Sequence, residues 1–260
     1  MKTVIIGSGN VATVFGEKMA SAGHEICQVV ARRAEPAAAL AAVLGCPWTT
    51  DPGQTDTAAD LYLVALSDAA LPDLHETLSL PGKLVVHTAG SASVGTLAGV
   101  SGRCGVVWPV QSIRAEVRPQ PPMPLLIDAL LPADLPILSA FARSLSPVVE
   151  YAADAARQRL HLAATIVNNF TNYLYTLVSG YCRQENLDFT LLLPLIRETA
   201  ERLDRYPAET TQTGPAARGD RPTIGRHLKL LDKYEKIKLL YELFSIQIEE
   251  YYHYERTGKI

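Results

Sequence analysis

Two kinds of hydrophobic pattern divide the chain. Up to about residue 151, short apolar runs alternate with turn residues or helical periodicity, which is typical of a parallel sheet with helical crossovers. The apolar runs lie at 4–6, 26–31, 60–66, 84–87, 105–110, 125–128 and 148–151, with helices predicted at 36–44, 69–78 and 133–145. From residue 152 the apolar residues recur at helical spacing, in stretches at 154–185, 188–205, 220–232 and 233–255. The pattern therefore predicts an α/β fold: a Rossmann doubly wound sheet over residues 1–151 and an all-helical domain over 152–260.

The first apolar run ends in a glycine turn that leads into a helical pattern. Strand, glycine turn and helix in this order are typical of a dinucleotide-binding unit. Gly7 would form the tight turn, Gly9 would let a pyrophosphate approach the backbone, and Ala12 would let the helix pack closely on the strand. The residues predicted to bind the cofactor in this turn are Gly7, Ser8, Gly9, Asn10 and Val11.

Two arginines follow the second apolar run and bear on the choice of cofactor. A site for NAD usually has an acidic residue there, whereas a site for the 2′-phosphate of NADP uses positive charge. Arg32 and Arg33 occupy this position, and Glu35 comes too late. A planar guanidinium matches a phosphate, so NADP is the predicted cofactor. The alternative is that both arginines are simply solvated in a surface loop.

The ends of the third and fourth long apolar runs supply further candidates, because ligands of open α/β sheets lie off the carboxyl ends of the strands. Ala65, Leu66 and Ser67 are predicted to contact the cofactor, as is Thr88. Asp68 would either join them or cap the helix that follows. His87 is predicted to face the nicotinamide or the substrate, with a hydrogen-bonded structural histidine as the alternative.

Composition excludes several classes of function. The 260 residues are 48% hydrophobic and 20% charged with a net charge of −3, and the basic residues are scattered, so no nucleic-acid partner is predicted. The four cysteines are widely separated, which indicates free thiols and no metal site. No apolar run is long enough to span a membrane and no secretory leader is visible, so a cytoplasmic location is predicted.

Polar residues also recur on the first long helical stretch of the second domain. At α-helical spacing His161, Thr165, Asn168 and Asn172 would share one stripe, with Asn169 beside it. A substrate between the domains would satisfy these groups, and the alternative is that they bond one another or the neighbouring domain.

A later motif, Gly214-Pro215-Ala216-Ala217-Arg218-Gly219-Asp220, indicates a loop that enters a helix capped by Asp220. Arg218 would bind a substrate carboxylate or lie at a dimer contact, and His227 lies one turn beyond Thr223 on the same helix.

These segments together resemble a known family. G-S-G-N-V-A, V-A-R-R, V-A-L-S-D, V-V-H-T-A-G-S, W-P-V-Q-S, H-L-A-A-T-I-V-N-N-F and T-G-P-A-A-R-G-D-R-P-T-I-G-R-H-L are similar to Rossmann-like proteins with a C-terminal DUF2520 domain. The resemblance covers essentially the whole chain, and the last motif is its most specific part. The wider class includes β-hydroxyacid dehydrogenases, ketopantoate reductases, pyrroline-5-carboxylate reductases and F420-dependent NADP oxidoreductases.

The resemblance implies catalytic roles for two residues. Related enzymes place a lysine and two asparagines at the start of the interdomain helix, and the matching positions here are His161, Thr165 and Asn169. His161 is the predicted general acid and Asn169 the second catalytic residue. The predicted substrate-binding residues are His87, Asn168, Arg218 and His227.

The resulting hypothesis is an NADP-dependent oxidoreductase. It would move hydride between the nicotinamide and a small carbonyl or imine in the interdomain cleft, with a 2-keto acid such as ketopantoate as the first substrate to test. The alternatives are an NADP(H)-binding sensor or scaffold without turnover, and an F420-dependent NADP oxidoreductase. The apolar C-terminal helices also predict a homodimer.

Overall fold

The computed structural model describes the backbone of residues 1–257 and the side chains of residues 1–252. The chain forms two compact units, residues 1–168 and the residues from 169 onward. The predicted boundary followed residue 151, whereas the first unit continues through the next helix. The reason is the fully buried Arg157, which ties that helix to the sheet unit.

The first unit is built on one sheet with eight strands between residues 1 and 168. The spatial order is β3-β2-β1-β4-β5-β6-β7-β8, so the chain reverses its direction of winding between β1 and β4. Strands β1 to β6 are mutually parallel, β7 is antiparallel to β6, and β8 is parallel to β7. Their bounds are β1 Lys2–Ile6, β2 Glu25–Val30, β3 Trp48–Thr49, β4 Leu61–Val64, β5 Leu84–His87, β6 Arg103–Pro109, β7 Leu125–Ala129 and β8 Val149–Tyr151.

Both faces of the sheet are covered, which explains why the central strands read as continuous apolar runs. Alternate residues point to opposite faces, so Ile5 and Leu63 belong to one core while Val4 and Tyr62 belong to the other. Three α-helices lie on the first face: α1 Asn10–Ser21, α2 Ala34–Leu44 and α3 Leu135–Leu145.

The second face departs from the prediction of a helix at 69–78. Two short 3₁₀ segments, Asp68–Ala70 and Pro72–Glu76, replace it. Pro72 cannot donate an amide hydrogen bond, so an α-helix cannot continue through it from residue 68. A further 3₁₀ segment, Val94–Leu97, follows β5 and packs its buried Leu97 into the same core.

The second unit contains helices joined by loops and no strand within residues 169–257, as predicted. Its α-helices are α5 Thr171–Gln184, α6 Leu193–Glu201, α7 Pro215–Arg218, α8 Arg221–Leu230 and α9 Glu235–Thr257. The side chain of Asp220 caps α8 by accepting a hydrogen bond from the amide of Thr223, which confirms the predicted cap.

The long helical stretch predicted from residue 154 contains an irregularity. Helix α4, Asp154–Ala164, passes into a π-helical segment, Thr165–Phe170, before α5 begins. Bonds from residue i to i+5 replace the α-helical pattern in this segment. A single α-helical stripe from His161 to Asn172 is therefore not formed.

Candidate nucleotide and substrate site

The turn after β1 accepts only glycine at its first position. Gly7 has φ +125°, and a Cβ added there would lie 2.3 Å from the carbonyl oxygen of Ala65. Its amide donates to the oxygen of Val30 over 2.8 Å, so the turn is fixed against both neighbours of β1. No side chain fits in this position without displacing backbone.

The second glycine of the turn faces open space. Gly9 precedes α1, and a Cβ there would meet no atom within 4 Å. No side chain caps α1 and its first turn has no acidic residue, while the fully buried Ala12 lets the helix approach the sheet. An uncapped helix N-terminus beside open space suits an anion such as the diphosphate of a dinucleotide.

A cavity of about 500 Å³ lies at the carboxyl ends of the strands beside this turn. Arg32 reaches it from the end of β2, and Leu66 and Ser67 reach it from the end of β4. Arg32 is exposed and forms no ion pair with a described residue. Arg33 does not line this cavity but precedes α2. Arg32 is the one cationic side chain among the described residues that line the cavity, which also include the acidic Asp73 and Glu76.

The strand end at β5 holds two of the predicted residues, His87 and Thr88. His87 is fully buried; its Nδ1 accepts from the amide of Ala89 over 3.2 Å and its Nε2 donates to the oxygen of Ser93 over 3.0 Å. Burial lowers the pKa of His87 from 6.5 to about 4. Both ring nitrogens are thus used within the fold, which favours the alternative of a hydrogen-bonded structural histidine. Thr88, nearly buried, donates its amide to Val64.

His161 lies directly against the turn that follows β5. A Cβ added at Gly90 would lie 2.7 Å from Cδ2 of His161 and 2.5 Å from Cε2 of Trp108. The rings of His161 and Trp108 have centroids 5.6 Å apart. The glycine thus allows a half-buried, titratable ring to reach the carboxyl end of the sheet. Sequence reasoning assigned no role to Gly90 or Trp108.

Hydrogen bonds from Ser91 join this place to the end of β4. Its hydroxyl donates to Oδ2 of Asp68, and its carbonyl oxygen accepts from Nε2 of Gln158 over 3.2 Å. The predicted cap by Asp68 is therefore not formed, because its carboxylate binds a hydroxyl of the neighbouring turn. Asp68 and His161 therefore both lie against the turn that contains Gly90 and Ser91.

Arg157 is the anchor of this arrangement. Its fully buried guanidinium donates to the carbonyl oxygens of Ala92 (2.6 Å) and Ala152 (3.1 Å) and pairs with Oδ1 of Asp154 (2.5 Å). Nη1 also lies 3.6 Å from Oδ2 of Asp128 in β7. Asp154 in turn accepts from the hydroxyl of Ser93 and the amide of Val94. The network fixes α4, which bears His161, against the turn that bears Gly90.

The remaining predicted residues are divided between the two units. Asn168 ends the first unit, while Asn169, Arg218 and His227 belong to the second. Nδ1 of His227 lies 2.8 Å from the hydroxyl of Tyr241. The hydroxyl of Thr165 donates to the carbonyl oxygen of His161, as a helical threonine commonly does. That Asn168, Asn169, Arg218 and His227 act on a substrate stays a prediction.

Two searches of the described residues gave no candidate. None of their helices has both the length and the apolar character needed to cross a bilayer. Nor do three histidine, cysteine or acidic side chains group as metal ligands within that part of the chain.

Comparison with known proteins decides the family. Residues 2–90 match the model described as NADP oxidoreductase, coenzyme F420-dependent, and residues 123–248 match the domain of unknown function DUF2520. A crystal structure from Bacteroides fragilis, BF3122, provisionally named an NADP oxidoreductase, is 38% identical with a TM-score of 0.87. The match covers 96% of this chain and 98% of that one. The chain belongs to this DUF2520 family of NADP oxidoreductases.

More distant structures share the fold of this DUF2520 oxidoreductase. An imine reductase from Myxococcus stipitatus in complex with NADP⁺ is 14% identical, with a TM-score of 0.66 over 99% of this chain and 95% of that chain. A 1-pyrroline-5-carboxylate reductase from Streptococcus pyogenes is 13% identical, with a TM-score of 0.61 over 96% and 98%. The comparison with curated proteins gives no match. The predictions of an NADP-dependent oxidoreductase and of NADP as its cofactor are confirmed by the family.

Proposed function

We propose that this oxidoreductase reduces a small C=N or C=O substrate bound where His161 meets the turn after β5. The observation that carries this proposal is the position of the His161 ring against Gly90 and Trp108, at the carboxyl end of a central strand. Ligands of doubly wound sheets bind at this edge.

The cofactor would be held by groups that are distinct from those around His161. The amides at the start of α1 and the space beside Gly9 would hold the diphosphate, and Arg32 would bind the 2′-phosphate. When bound, NADPH supplies a hydride to the substrate carbon. Ala65 and Thr88, which directly follow β4 and β5, would support the bound cofactor through their backbone.

His161 would supply the proton. Its ring is half-buried and lies at the carboxyl end of the sheet, where an imidazole can protonate the substrate nitrogen or oxygen as the carbon is reduced. Trp108 and the buried Arg157 network limit the positions that the ring can take. Asn169 would be the second catalytic group, as the resemblance implies.

The reaction is tested by the consumption of NADPH with cyclic imines, aldehydes and 2-oxo acids. His161→Gln should lower kcat about a hundredfold, since positioned proton transfer contributes at least this much, and should leave the dissociation constant of NADPH unchanged. His24→Gln is the matched control, because His24 lies just before β2, at the amino edge of the sheet, bonded to Ser144. Unchanged turnover in His161→Gln contradicts the acid assignment; NADPH binding with no turnover of any substrate favours a sensor or scaffold.

The cofactor assignment predicts a difference between the two arginines. Arg32→Ala should weaken NADPH binding about tenfold or more and leave NADH binding unchanged, because it removes a charged hydrogen bond to the phosphate. Arg33→Ala should have a smaller effect, since Arg33 does not line the cavity. Fluorescence titration of both variants measures this, and equal NADPH affinity in wild type and Arg32→Ala would contradict the assignment.

The names of two distant neighbours support an imine rather than ketopantoate as the substrate. The two distant neighbours named above act, by their names, on an imine and on a pyrroline, and neither is named for ketopantoate. The F420 model matches only residues 2–90, the dinucleotide-binding part, so the match supports use of NADP more than use of F420.

We infer further that the second unit pairs with a second copy of the chain. Its buried apolar side chains among the described residues include Cys182, Ala216 and Leu231, whereas many larger ones are exposed. Leu239, Leu243 and Ile246, spaced along one side of α9, are each at least half exposed. The Leu243→Glu variant should shift the mass measured by light scattering from dimer to monomer; a wild-type monomer would contradict the inference.

The thiols support the predicted location. All four cysteines are free, two of them buried, which fits a reducing compartment such as the cytoplasm.

A further inference from the structure

An acidic side chain without a cationic partner lies at the candidate substrate site. Asp68 follows β4 at its carboxyl end and is exposed. Its recorded partner is the hydroxyl of Ser91, and no ion pair between described residues includes it. An exposed carboxylate bound by one neutral hydroxyl has further acceptor capacity.

Asp68 is connected to the groups around His161 through two adjacent residues. Ser91, which donates to Asp68, directly follows Gly90, and Gly90 contacts both His161 and Trp108. Gln158, on the same helix as His161, donates to the carbonyl oxygen of Ser91. A substrate beside His161 would therefore lie within the field of this carboxylate.

The buried cation that bonds the turn after β5 is not available to a substrate. Arg157 is fully buried, and its guanidinium is used by two carbonyl oxygens and by Asp154 and Asp128. The charge of Asp154 is balanced by its ion pair with Arg157, whereas Asp68 has no ion pair with a described residue. Because Arg32, which lines the cavity together with Ser67, would be taken by the 2′-phosphate of the cofactor, Asp68 leaves a negative charge at the end of β4, which attracts a cation and repels a carboxylate.

We propose that Asp68 is a specificity-determining residue that binds the positive charge of a protonated imine. This inference rests on the proposed function and narrows it. Among the C=N and C=O substrates considered there, the site selects a cationic C=N group over a 2-oxo acid. As the carbon of the protonated imine is reduced, its nitrogen gains a lone pair, which His161 would protonate; the resulting protonated amine would bind the same carboxylate.

The experiment uses the full chain and two probes of opposite charge. Pyrrolidine, a protonated secondary amine, is titrated calorimetrically into the protein with NADP⁺, and the NADPH-dependent reduction of 2-methyl-1-pyrroline is compared with that of pyruvate. Asp68→Asn should weaken pyrrolidine binding and lower kcat/KM for the pyrroline about tenfold or more, since it removes a charged hydrogen bond but keeps the acceptor for Ser91. Asp68→Glu should retain most of both.

Matched controls show that the effect is local. Glu25→Gln removes a charge at the amino end of β2, the opposite edge of the sheet, and should change neither measurement. The affinity for NADPH should be the same in Asp68→Asn as in the wild type.

The outcomes separate this inference from the function on which it rests. Equal pyrrolidine binding by wild type and Asp68→Asn, no pyrrolidine binding by the wild type, or a preference for pyruvate each overturns the inference. Reduction of the pyrroline with no effect of Asp68→Asn leaves the proposed function standing without the inference. Binding of pyrrolidine that depends on Asp68, with no reduction of either probe, supports cation binding by Asp68; failure of the whole panel of cyclic imines, aldehydes and 2-oxo acids as well contradicts the proposed function.

Discussion

The turn after β1 and the turn after β5 end parallel strands of one sheet, yet they are built by different means. The first depends on small residues: Gly7 because nothing larger fits, and Gly9 because space must remain open. The second depends on long side chains, with Arg157 and Gln158 donating to its carbonyl oxygens from α4. Backbone geometry suits a ligand group shared by all dinucleotides, whereas side chains can be changed to suit one substrate.

The largest loss of stability is expected when the turn after β5 loses its bonds to Arg157. Arg157→Met should lower the free energy of unfolding by about 3 to 5 kcal/mol, because it leaves the buried Asp128 without its cation. Chemical denaturation measures the change. Arg143→Met is the control, since its guanidinium bonds only the nearby Ser139 on α3 and should matter by less than about 0.5 kcal/mol. Equal stability of the two variants would show that the network does not anchor the turn.

Substitution of Gly7 should disrupt the turn after β1 through a steric clash. Gly7→Ala should lower stability by about 1 to 3 kcal/mol and abolish NADPH binding, because the added Cβ meets the carbonyl of Ala65 at a backbone conformation that alanine rarely adopts. Thermal unfolding and fluorescence titration measure the two effects. Retention of both stability and affinity would contradict the geometry of the turn.

His87 makes the second turn sensitive to acid. Its pKa is about 4 in the folded protein and near 6.5 when unfolded, so the unfolded state binds the extra proton between these values. Stability should therefore fall as pH decreases from about 6.5 towards 4, by up to about 1.4 kcal/mol per pH unit from this group. His87→Gln should show a shallower slope in denaturation measured across that range. An identical slope would rule out His87 as its source.

The smallest change in stability is expected at Gly9, and it separates folding from binding. Gly9→Ala places its Cβ in open space, so stability should change by less than about 0.5 kcal/mol. NADPH affinity should fall, because the methyl group occupies the approach to the helix N-terminus. Unchanged affinity would show that the diphosphate binds elsewhere.

The same contrast explains what could be predicted from the sequence. The glycine turn, seven of the eight strands and the helical second unit follow from local spacing and were predicted, whereas the two-residue edge strand β3 was not. The network around Arg157 joins β7, the turn after β5 and α4, which are far apart in the chain, so no local pattern reveals it. His87 was assigned to the substrate because a polar residue at a strand end looks the same in sequence whether its ring faces a ligand or a backbone carbonyl.

The predictions of a helix at residues 69–78 and of regular α-helix through residues 165–170 were wrong for local reasons. Apolar periodicity outweighed Pro72 in the first case, and a π-helical segment has no composition that distinguishes it from an α-helix in the second. Gly90 and Ser91 were visible beside His87 as a stretch of small residues, but their importance depends on α4 packing over them.

The two tryptophans of the chain give the site an optical signal. Trp48 lies on the edge strand β3 and is 42% exposed, whereas Trp108 is almost buried against Gly90 and His161. In Trp48→Phe all indole emission would come from beside the proposed acid. Energy transfer from this single emitter to reduced nicotinamide would report occupancy, and its loss over time would follow turnover with no added dye.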